Sequence, residues 1–536
     1  MMSYRMAGII LFIIAAGVGL ASAQDLTYSG YIDSTAPSKS YTFELQAGQS
    51  ALITAEATSG DLDTYLTLYD PSGASVAEND DRNPGEILDS ALGYTATVGG
   101  TYTVRVSRYE PGDSSGNFVL NITIGDESVL AGLDQLLRIQ LSGPEIIMDT
   151  EHFRIHYTFD GEDATDEIYV DHVLRTMEEI WRIQIERLGW PVPPADDQRG
   201  GDGRFDVYLV DLLGNGDGIF GYASPEDDFG DNPNTPTVEA YATSSYLAIE
   251  NDFSEVAVDD AEAVQLMRAT AAHEFHHAIQ FGYDINDAHD WYYEATAVWM
   301  EVITFFKEED ATGYVSYNYE YPELCFGTTA DPGDGQLQYG EWLFLQSLSD
   351  VHGMEIVPKL WANIGEFEGF EALEKTLERY GDDIPTAVAR YRVQNLLRDY
   401  DLAGEFQATV WLENTIDAPG RWTFTGEGIQ ELGANYFAFS MPPGVYQISL
   451  SGDNGALLLW AIGIQGTEAV EIPLGRDGLL STHGYDYVYL MVFNPVYDED
   501  VNDCTYGSYV LDVRLSSGEG AAATHTWDAT NFAPLR

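Results

Sequence analysis

Hydrophobic and polar residues alternate along two long stretches of the chain, and this pattern predicts strands in both. Between residues 26 and 124 the alternating runs include residues 40–45, 64–69 and 100–106, and turn sequences such as Asp70-Pro71-Ser72-Gly73 separate them. The same alternation returns over residues 415–518. Each stretch has about the length of one antiparallel β-sandwich. The sequence therefore predicts a sandwich at each end of the chain.

The middle of the chain follows a different pattern. Apolar residues recur at helical spacing over residues 165–188 and again in pieces over 340–351, 357–364, 370–380 and 384–397. Residues 205–210 and 245–252 alternate like strands, and if the second of these were a sheet edge it could pair with an extended peptide. We therefore expect a multidomain α+β protein whose central domain is mixed α/β with a helical half.

The expected boundaries follow from these changes of pattern. They are a 1–23 leader, a β-sandwich over 24–126, a linker over 127–145, a central domain over 146–405, a second β-sandwich over 415–518 and a loosely ordered tail over 519–536. The leader has one Arg, an apolar run from Ala7 to Leu20 and the small residues Ala21-Ser22-Ala23, as in a secretory signal peptide cleaved after Ala23. No later stretch approaches the roughly 20 apolar residues of a membrane span. The sequence thus predicts a secreted protein without a membrane partner.

The charge balance excludes one class of partner. The 536 residues include 88 Asp and Glu against 24 Lys and Arg, a formal net charge of −64. Such a surface repels nucleic acid. It suits either a salty habitat or several calcium sites, and the composition does not choose between them. The two cysteines, Cys325 and Cys504, can pair in an oxidising compartment or remain as buried thiols, and the sequence leaves both open.

The clearest chemical signal is the segment Ala272-His273-Glu274-Phe275-His276-His277. On a helix His273 and His277 lie four residues apart on one face, where two imidazoles can bind one metal ion. Glu274 lies beside that face and can reach a water molecule on the metal. With 10 His and 88 acidic residues, the H-E-x-x-H pattern is expected only about 0.03 times by chance. An ordinary helix with packed histidines is the alternative.

A zinc site of this kind needs a third protein ligand and an open fourth position. The next helical stretch begins at Trp291 and carries Glu294 near its start. Gly282 and four Asx residues lie between the two stretches and suit a turn that folds one helix back on the other. Glu294 could instead be a plain carboxylate favoured by a helix N-terminus.

With these residues in place, the chain resembles the gluzincin group of zinc metallopeptidases. The resemblance covers about 50 residues. It implies a zinc-metallopeptidase domain over 146–405 in which His273, His277 and Glu294 bind Zn2+, Glu274 is the catalytic base, and the substrate is a protein or peptide. One position departs from the thermolysin-like pattern: the carboxylate expected four residues after the ligand Glu is Val298, and Glu301 is the candidate to orient a ligand histidine instead.

Several further residues are candidates for the site. His276 pairs with His273 on one face as an alternative ligand set, and His289 lies in the inter-helix turn, where we expect it to be solvated. Tyr339 is a candidate hydrogen-bond donor to a transition-state oxyanion, although tyrosine is abundant here. Asp211, Asn215 and Asp217 lie in a Gly-rich loop and form a candidate Ca2+ site.

The N-terminal stretch also resembles a known module. Asp61-Leu62-Asp63-Thr64-Tyr65-Leu66, Asp70-Pro71-Ser72-Gly73 and Gly99-Gly100-Thr101-Tyr102 are similar to motifs of pre-peptidase C-terminal domains, which accompany secreted peptidases. That resemblance implies an accessory or substrate-binding role. Two other classes of function stay open beside the peptidase: a secreted binding or adhesion protein on a degenerate peptidase scaffold, and a calcium-stabilised surface protein. The second leaves the histidines and Glu294 unexplained.

Overall fold

The computed structural model describes residues 24–535, apart from 81, 83–88, 110–113, 131–132, 134–137, 197–198, 215–217, 227–228, 307–310, 330–336, 424–427 and 453–454. The expected signal peptide and its cleavage site after Ala23 lie outside the described residues. The chain divides into two compact units: the first is residues 1–140 with 199–201, and the second is 141–198 with 202–536. Each unit is described by itself below.

The first unit is a β-sandwich. Its described strands form two four-stranded antiparallel sheets, in the orders β1-β8-β3-β6 and β2-β7-β4-β5. Alternate side chains such as Val104 and Val106 on β7 and Leu120 and Ile122 on β8 are fully buried between the sheets. The strands are β1 (Gln24–Ile32), β2 (Ser38–Leu45), β3 (Ser50–Gly60), β4 (Thr64–Tyr69), β5 (Ser75–Asn79), β6 (Ser90–Thr95), β7 (Gly100–Arg108) and β8 (Gly116–Gly125).

The second unit opens with a mixed sheet. Its strands are β9 (Ile146–Asp149), β10 (Phe153–Tyr157), β11 (Phe205–Val210), β12 (Gly221–Pro225) and β13 (Ser245–Glu250), in the order β12-β13-β11-β10-β9. β10, β11 and β13 are parallel, while β12 runs antiparallel to β13 along its outer side. The expectation that residues 245–252 form a sheet edge is therefore wrong. β13 is buried along its whole length because β12 covers it, and β12 is the edge strand.

Helices follow and flank this sheet, close to the positions that the apolar spacing predicts. They are α1 (Glu167–Trp181), which continues as a π-helical turn (Arg182–Arg187), α2 (Asp260–Phe281), α3 (Trp291–Thr304), α4 (Ala311–Glu320), α5 (Leu337–Gly340), α6 (Trp342–His352), α7 (Ile356–Ile364), α8 (Gly369–Glu378) and α9 (Ile384–Leu397). Asp259 caps the start of α2, because its side chain accepts hydrogen bonds from the amides of Ala261 and Glu262. From Ala269 to Gln280 every residue of α2 is buried, so this helix runs through the core.

The second unit ends in another sandwich. One described sheet has the order β14-β16-β21-β18-β19-β23 and the other the order β15-β22-β17-β20. The strands are β14 (Leu412–Ile416), β15 (Gly420–Thr423), β16 (Ala434–Phe439), β17 (Val445–Gly452), β18 (Leu458–Gln465), β19 (Glu468–Pro473), β20 (Asp477–Ser481), β21 (Tyr487–Phe493), β22 (Tyr509–Ser516) and β23 (His525–Asp528).

The tail is more ordered than the sequence suggests. β23 lies within residues 519–536 and pairs antiparallel with β19, and Trp527 and Phe532 pack against the core. The expectation of a loosely ordered tail over 519–536 is therefore wrong for residues 525–532, where the few apolar side chains have a sheet edge and a core to pack on.

Cys325 and Cys504 form a disulfide, which the sequence left open. Their Cα atoms are 6.2 Å apart, and 179 positions separate them along the chain. The bond joins the segment after α4 to the loop between β21 and β22 of the C-terminal sandwich.

These units confirm the predicted fold class: an N-terminal β-sandwich, a central α/β and helical region, and a C-terminal β-sandwich. In the part of the chain that the structure describes, no helix combines the length and the apolar character needed to cross a bilayer.

Candidate metal centre

The candidate centre lies between α2 and α3. The two helices pack antiparallel: His273 of α2 meets Glu301 near the end of α3, whereas Gln280, later in α2, meets Tyr293 near its start. The Gly- and Asx-containing segment between them makes the turn that the sequence predicts. Asp284 and Tyr293 fasten this turn, because the Tyr293 hydroxyl donates to the Asp284 carbonyl oxygen at 2.9 Å.

Each of the two histidines is held by its Nδ1 atom. His273 Nδ1 lies 2.7 Å from Glu301 Oε1, and His277 Nδ1 lies 2.6 Å from Gln280 Oε1. The Gln280 amide nitrogen donates to the Tyr293 carbonyl oxygen at 2.9 Å, which turns its Oε1 toward His277. Both acceptors favour a proton on Nδ1, so both Nε2 atoms are left to act as ligands.

The Nε2 atoms converge on one carboxylate. Glu294 Oε2 lies 3.2 Å from His273 Nε2 and 3.7 Å from His277 Nε2. Ligands about 2.0–2.1 Å from a tetrahedral zinc ion are separated by about 3.3 Å, so this spacing fits a shared metal. All three side chains are mostly buried, with His273 and His277 each 8% exposed. The structure thus brings together the three residues that the sequence proposes as ligands.

The electrostatics of the cluster also favour a cation. Burial lowers the pKa of His273, but hydrogen bonds to Glu294 and Glu301 more than offset it and raise the pKa well above its usual value. Burial likewise raises the pKa of Glu294, and the two histidines reverse this and hold it well below its usual range. The pocket between these atoms therefore stabilises positive charge, which a proton or a metal ion can supply.

Glu274 lies beside the three candidate ligands and against the edge strand β12. Glu274 is 8% exposed, and a Cβ atom placed on Gly221 of β12 would lie 3.1 Å from its Cγ atom, so β12 packs closely against it. Burial raises its pKa, and the nearby His273 and His277 limit that rise. A carboxyl group with a raised pKa is suited to taking and returning a proton.

Tyr339 reaches the same site from α5. Its ring stacks on His273 with 6.2 Å between the ring centroids. Burial, reinforced by Glu294 and Glu274, raises the pKa of Tyr339 far above its usual value. The hydroxyl therefore keeps its proton at neutral pH and can act as a donor.

The alternative histidines point elsewhere. His276 is fully buried on the other side of α2, where its Nδ1 lies 3.1 Å from Gln184 Oε1 and its ring meets Trp190 edge to face. His289 is also fully buried, with Nε2 2.9 Å from the Glu499 carbonyl oxygen, so the expectation that it is solvated is wrong. Phe370 packs against its ring and closes the turn over it.

The proposed calcium loop is only partly described. Asn215 and Asp217 lie outside the described residues. Asp211 is used locally: its Oδ1 accepts from the Gly214 amide at 2.6 Å, and its own amide donates to Asp163 Oδ1 at 3.0 Å.

Two features of the site escaped the sequence analysis. Gln280, which fixes His277, carries a usable signal because it lies three residues further along the same helix face. The edge strand β12 has no usable sequence signal, because it is only five residues long and pairs with a segment about 25 residues further along the chain.

Comparison with known families places two parts of the chain. Residues 37–108 match the bacterial pre-peptidase C-terminal domain. The N-terminal sandwich contains that module. Residues 158–410, somewhat less than half of the chain, match a family of unknown function, DUF6055. No curated protein matches the sequence.

Solved structures give distant likenesses. The pre-peptidase C-terminal domain of collagenase from Bacillus anthracis is 18% identical, with a TM-score of 0.15 over 18% of this chain and 88% of that one. The catalytic module of the metalloprotease ZmpA from Clostridium perfringens is 10% identical, with a TM-score of 0.24 over 87% of this chain and 92% of that one. A periplasmic inhibitor of g-type lysozyme from Aeromonas hydrophila, PliG, is 15% identical, with a TM-score of 0.15 over 20% of this chain and 87% of that one.

Proposed function

We propose that this protein is a secreted zinc-dependent endopeptidase. The observation that carries the proposal is the convergence of His273 Nε2 and His277 Nε2 on Glu294 Oε2, at 3.2 Å and 3.7 Å. The donor set of two imidazoles and one carboxylate is one that catalytic zinc uses, with a fourth position left open. Secretion rests on the leader-like residues 1–23 and is supported by the disulfide between Cys325 and Cys504.

The residues of the chain would share the chemistry as follows. Zinc, when bound by His273, His277 and Glu294, supplies Lewis-acid chemistry, lowering the pKa of water from about 15.7 to about 7 and polarising a carbonyl group. Glu274 accepts the proton of the attacking water and delivers it to the leaving amine. Tyr339 donates a hydrogen bond to the oxygen on which negative charge develops. Hydrolysis then proceeds without a covalent intermediate.

The edge strand supplies the place for the substrate. β12 is the outer strand of its sheet in the described residues and packs against Glu274 at Gly221, and an extended peptide can add to such an edge through main-chain hydrogen bonds. The scissile bond of a peptide on β12 would then lie beside the catalytic carboxylate. This role replaces the one that the sequence suggested for residues 245–252.

The test is a proteolysis assay on the mature chain with casein and a quenched peptide library. We expect hydrolysis that 1,10-phenanthroline abolishes and that added zinc restores, because the chelator removes the metal from the three ligands. A zinc-loaded chain that cleaves no member of a broad library would instead support the secreted binding protein on a degenerate scaffold.

Gly221 gives a second test, since a side chain added there would meet Glu274. A Cβ atom on this residue would lie 2.8 Å from Thr270 Cγ2, 3.0 Å from the Ala248 carbonyl oxygen and 3.1 Å from Glu274 Cγ. We expect Gly221→Ala to push the strand away from α2 and lower kcat/KM by about tenfold to a hundredfold, the cost of a misplacement of about 1 Å.

The matched control is Gly230→Ala, because no atom lies within 4 Å of a Cβ built there. Steady-state kinetics and zinc content are measured on both variants. Equal kcat/KM for Gly221→Ala and the wild type would show that β12 does not position the catalytic carboxylate.

A further inference from the structure

A second group of carboxylates lies where β13 ends and the chain turns toward α2. Glu250 is the last residue of β13, and Asp252 and Glu255 follow in the connecting loop. One oxygen from each of the three lies within 4.8 Å of the oxygens of the other two. This group is separate from the zinc candidates, since none of its members belongs to the His273, His277 and Glu294 cluster.

Glu250 is the unusual member of the group. It is fully buried, and its Oε2 accepts hydrogen bonds from the amides of Leu212 and Leu213 at 2.8 Å and 2.9 Å. Its Oε1 is buried without a hydrogen-bond partner. In the described part of the chain no ion pair involves Glu250, Asp252 or Glu255. A buried carboxylate with acidic neighbours requires a counter-charge, which here is either a proton or a cation.

The surroundings hold these groups in place. Asp252 Oδ1 accepts from the Ser254 amide at 2.7 Å, and Glu255 Oε2 accepts from the Ser254 hydroxyl at 3.3 Å. The Tyr169 hydroxyl donates to the Glu250 backbone oxygen at 2.8 Å, which fixes the end of the strand. The loop between Glu250 and α2 is thus built around the three carboxylates.

The donor chemistry selects the ion. All three side chains offer oxygen and none offers nitrogen or sulfur, which favours a hard cation over zinc. The three oxygens lie within 4.8 Å of one another, and two oxygens bound to the same calcium ion at about 2.3–2.6 Å are separated by no more than about 5 Å, so their spacing is compatible with one shared calcium ion. Magnesium demands near-ideal octahedral geometry and usually keeps several of its own water molecules, so a group of three carboxylates at a strand end and its loop suits calcium better.

We propose that Glu250, Asp252 and Glu255 bind one calcium ion. The ion joins the end of β13 to the loop that leads to the Asp259 cap of α2. It therefore stabilises the start of the helix that carries His273 and His277, without contacting either histidine. Backbone oxygens and water complete its coordination.

The test compares the wild type with Glu250→Gln, Asp252→Asn and Glu255→Gln. These substitutions keep the shape of each side chain, and the amide oxygen of Gln at 250 can still accept from Leu212 and Leu213. Glu468→Gln, an exposed carboxylate on β19, is the matched control. The probes are calcium, titrated calorimetrically, and terbium, whose luminescence Tyr169 can sensitise from beside the site.

We expect the wild type and Glu468→Gln to bind one more calcium ion per chain than Glu250→Gln does. Asp252→Asn and Glu255→Gln should bind that ion with lower affinity than the wild type. Terbium luminescence should fall in the same order, and calcium should raise the Tm of the wild type by several degrees more than that of Glu250→Gln. Zinc content should be equal in all five proteins. Equal calcium stoichiometry and an equal Tm shift in the wild type and Glu250→Gln would overturn the proposal.

Discussion

Replacing Glu274 with Gln is expected to lower kcat by about 10²–10⁴-fold, the usual contribution of a general acid–base group, while zinc stays bound. The carboxylate of Glu274 is not among the three converging ligand atoms, so its loss leaves the metal site intact. Gln keeps the size and shape of the side chain, so its packing against β12 is preserved. The measurement is turnover of a quenched peptide alongside zinc content.

Glu262→Gln is the control for this variant, because it makes the same change on the same helix but at the helix start. Its turnover should match that of the wild type. Glu274→Gln protein with full zinc and full turnover would remove Glu274 from proton transfer and leave the mechanism without a base.

Two glutamates of α3 should affect zinc binding in a defined order. Glu294→Gln removes a charged ligand and is expected to weaken zinc binding by more than about 100-fold, whereas Glu301→Gln weakens it by about 10–100-fold. The effect of Glu301→Gln is smaller because Glu301 does not face the metal position but orients His273, whose Nδ1 lies 2.7 Å from Glu301 Oε1. Competition with a chelating dye of known zinc affinity measures both values.

Glu378→Gln, an exposed carboxylate at the end of α8, is the control for a general charge effect. Its zinc affinity should equal that of the wild type. Equal losses in Glu294→Gln and Glu378→Gln, or a greater loss in Glu301→Gln than in Glu294→Gln, would contradict the assignment of Glu294 as the ligand.

The histidine pair and Glu294 were accessible from the sequence because their placement is local. Four residues make one helical turn, so His273 and His277 share a face whatever the rest of the fold does. Glu294 required one more step, a turn between two neighbouring helices, and Gly282 with the Asx residues signalled it. The alternation of apolar and polar residues in the strands of the two sandwiches is a local pattern of the same kind. So is the helical spacing of apolar residues in α6 to α9.

What the sequence did not reveal depends on contacts between distant segments. The buried position of His289 arises from Glu499, 210 residues further along the chain, and nothing near His289 signals that partner. The placement of β12 outside β13 and the order of the tail have the same origin, since β23 pairs with β19 about 55 residues before it. The burial of His289 and the pairing of these strands depend on which distant segments the fold brings together, so local sequence patterns do not predict them.

The central claim is that residues 273, 277 and 294 bind one zinc ion, and crystals of the purified mature protein measured at the zinc absorption edge test it most directly. We predict one anomalous peak about 2.0–2.2 Å from His273 Nε2, His277 Nε2 and a Glu294 carboxylate oxygen. A zinc-loaded crystal with no peak between these three side chains, or with its peak at another site, would contradict the account.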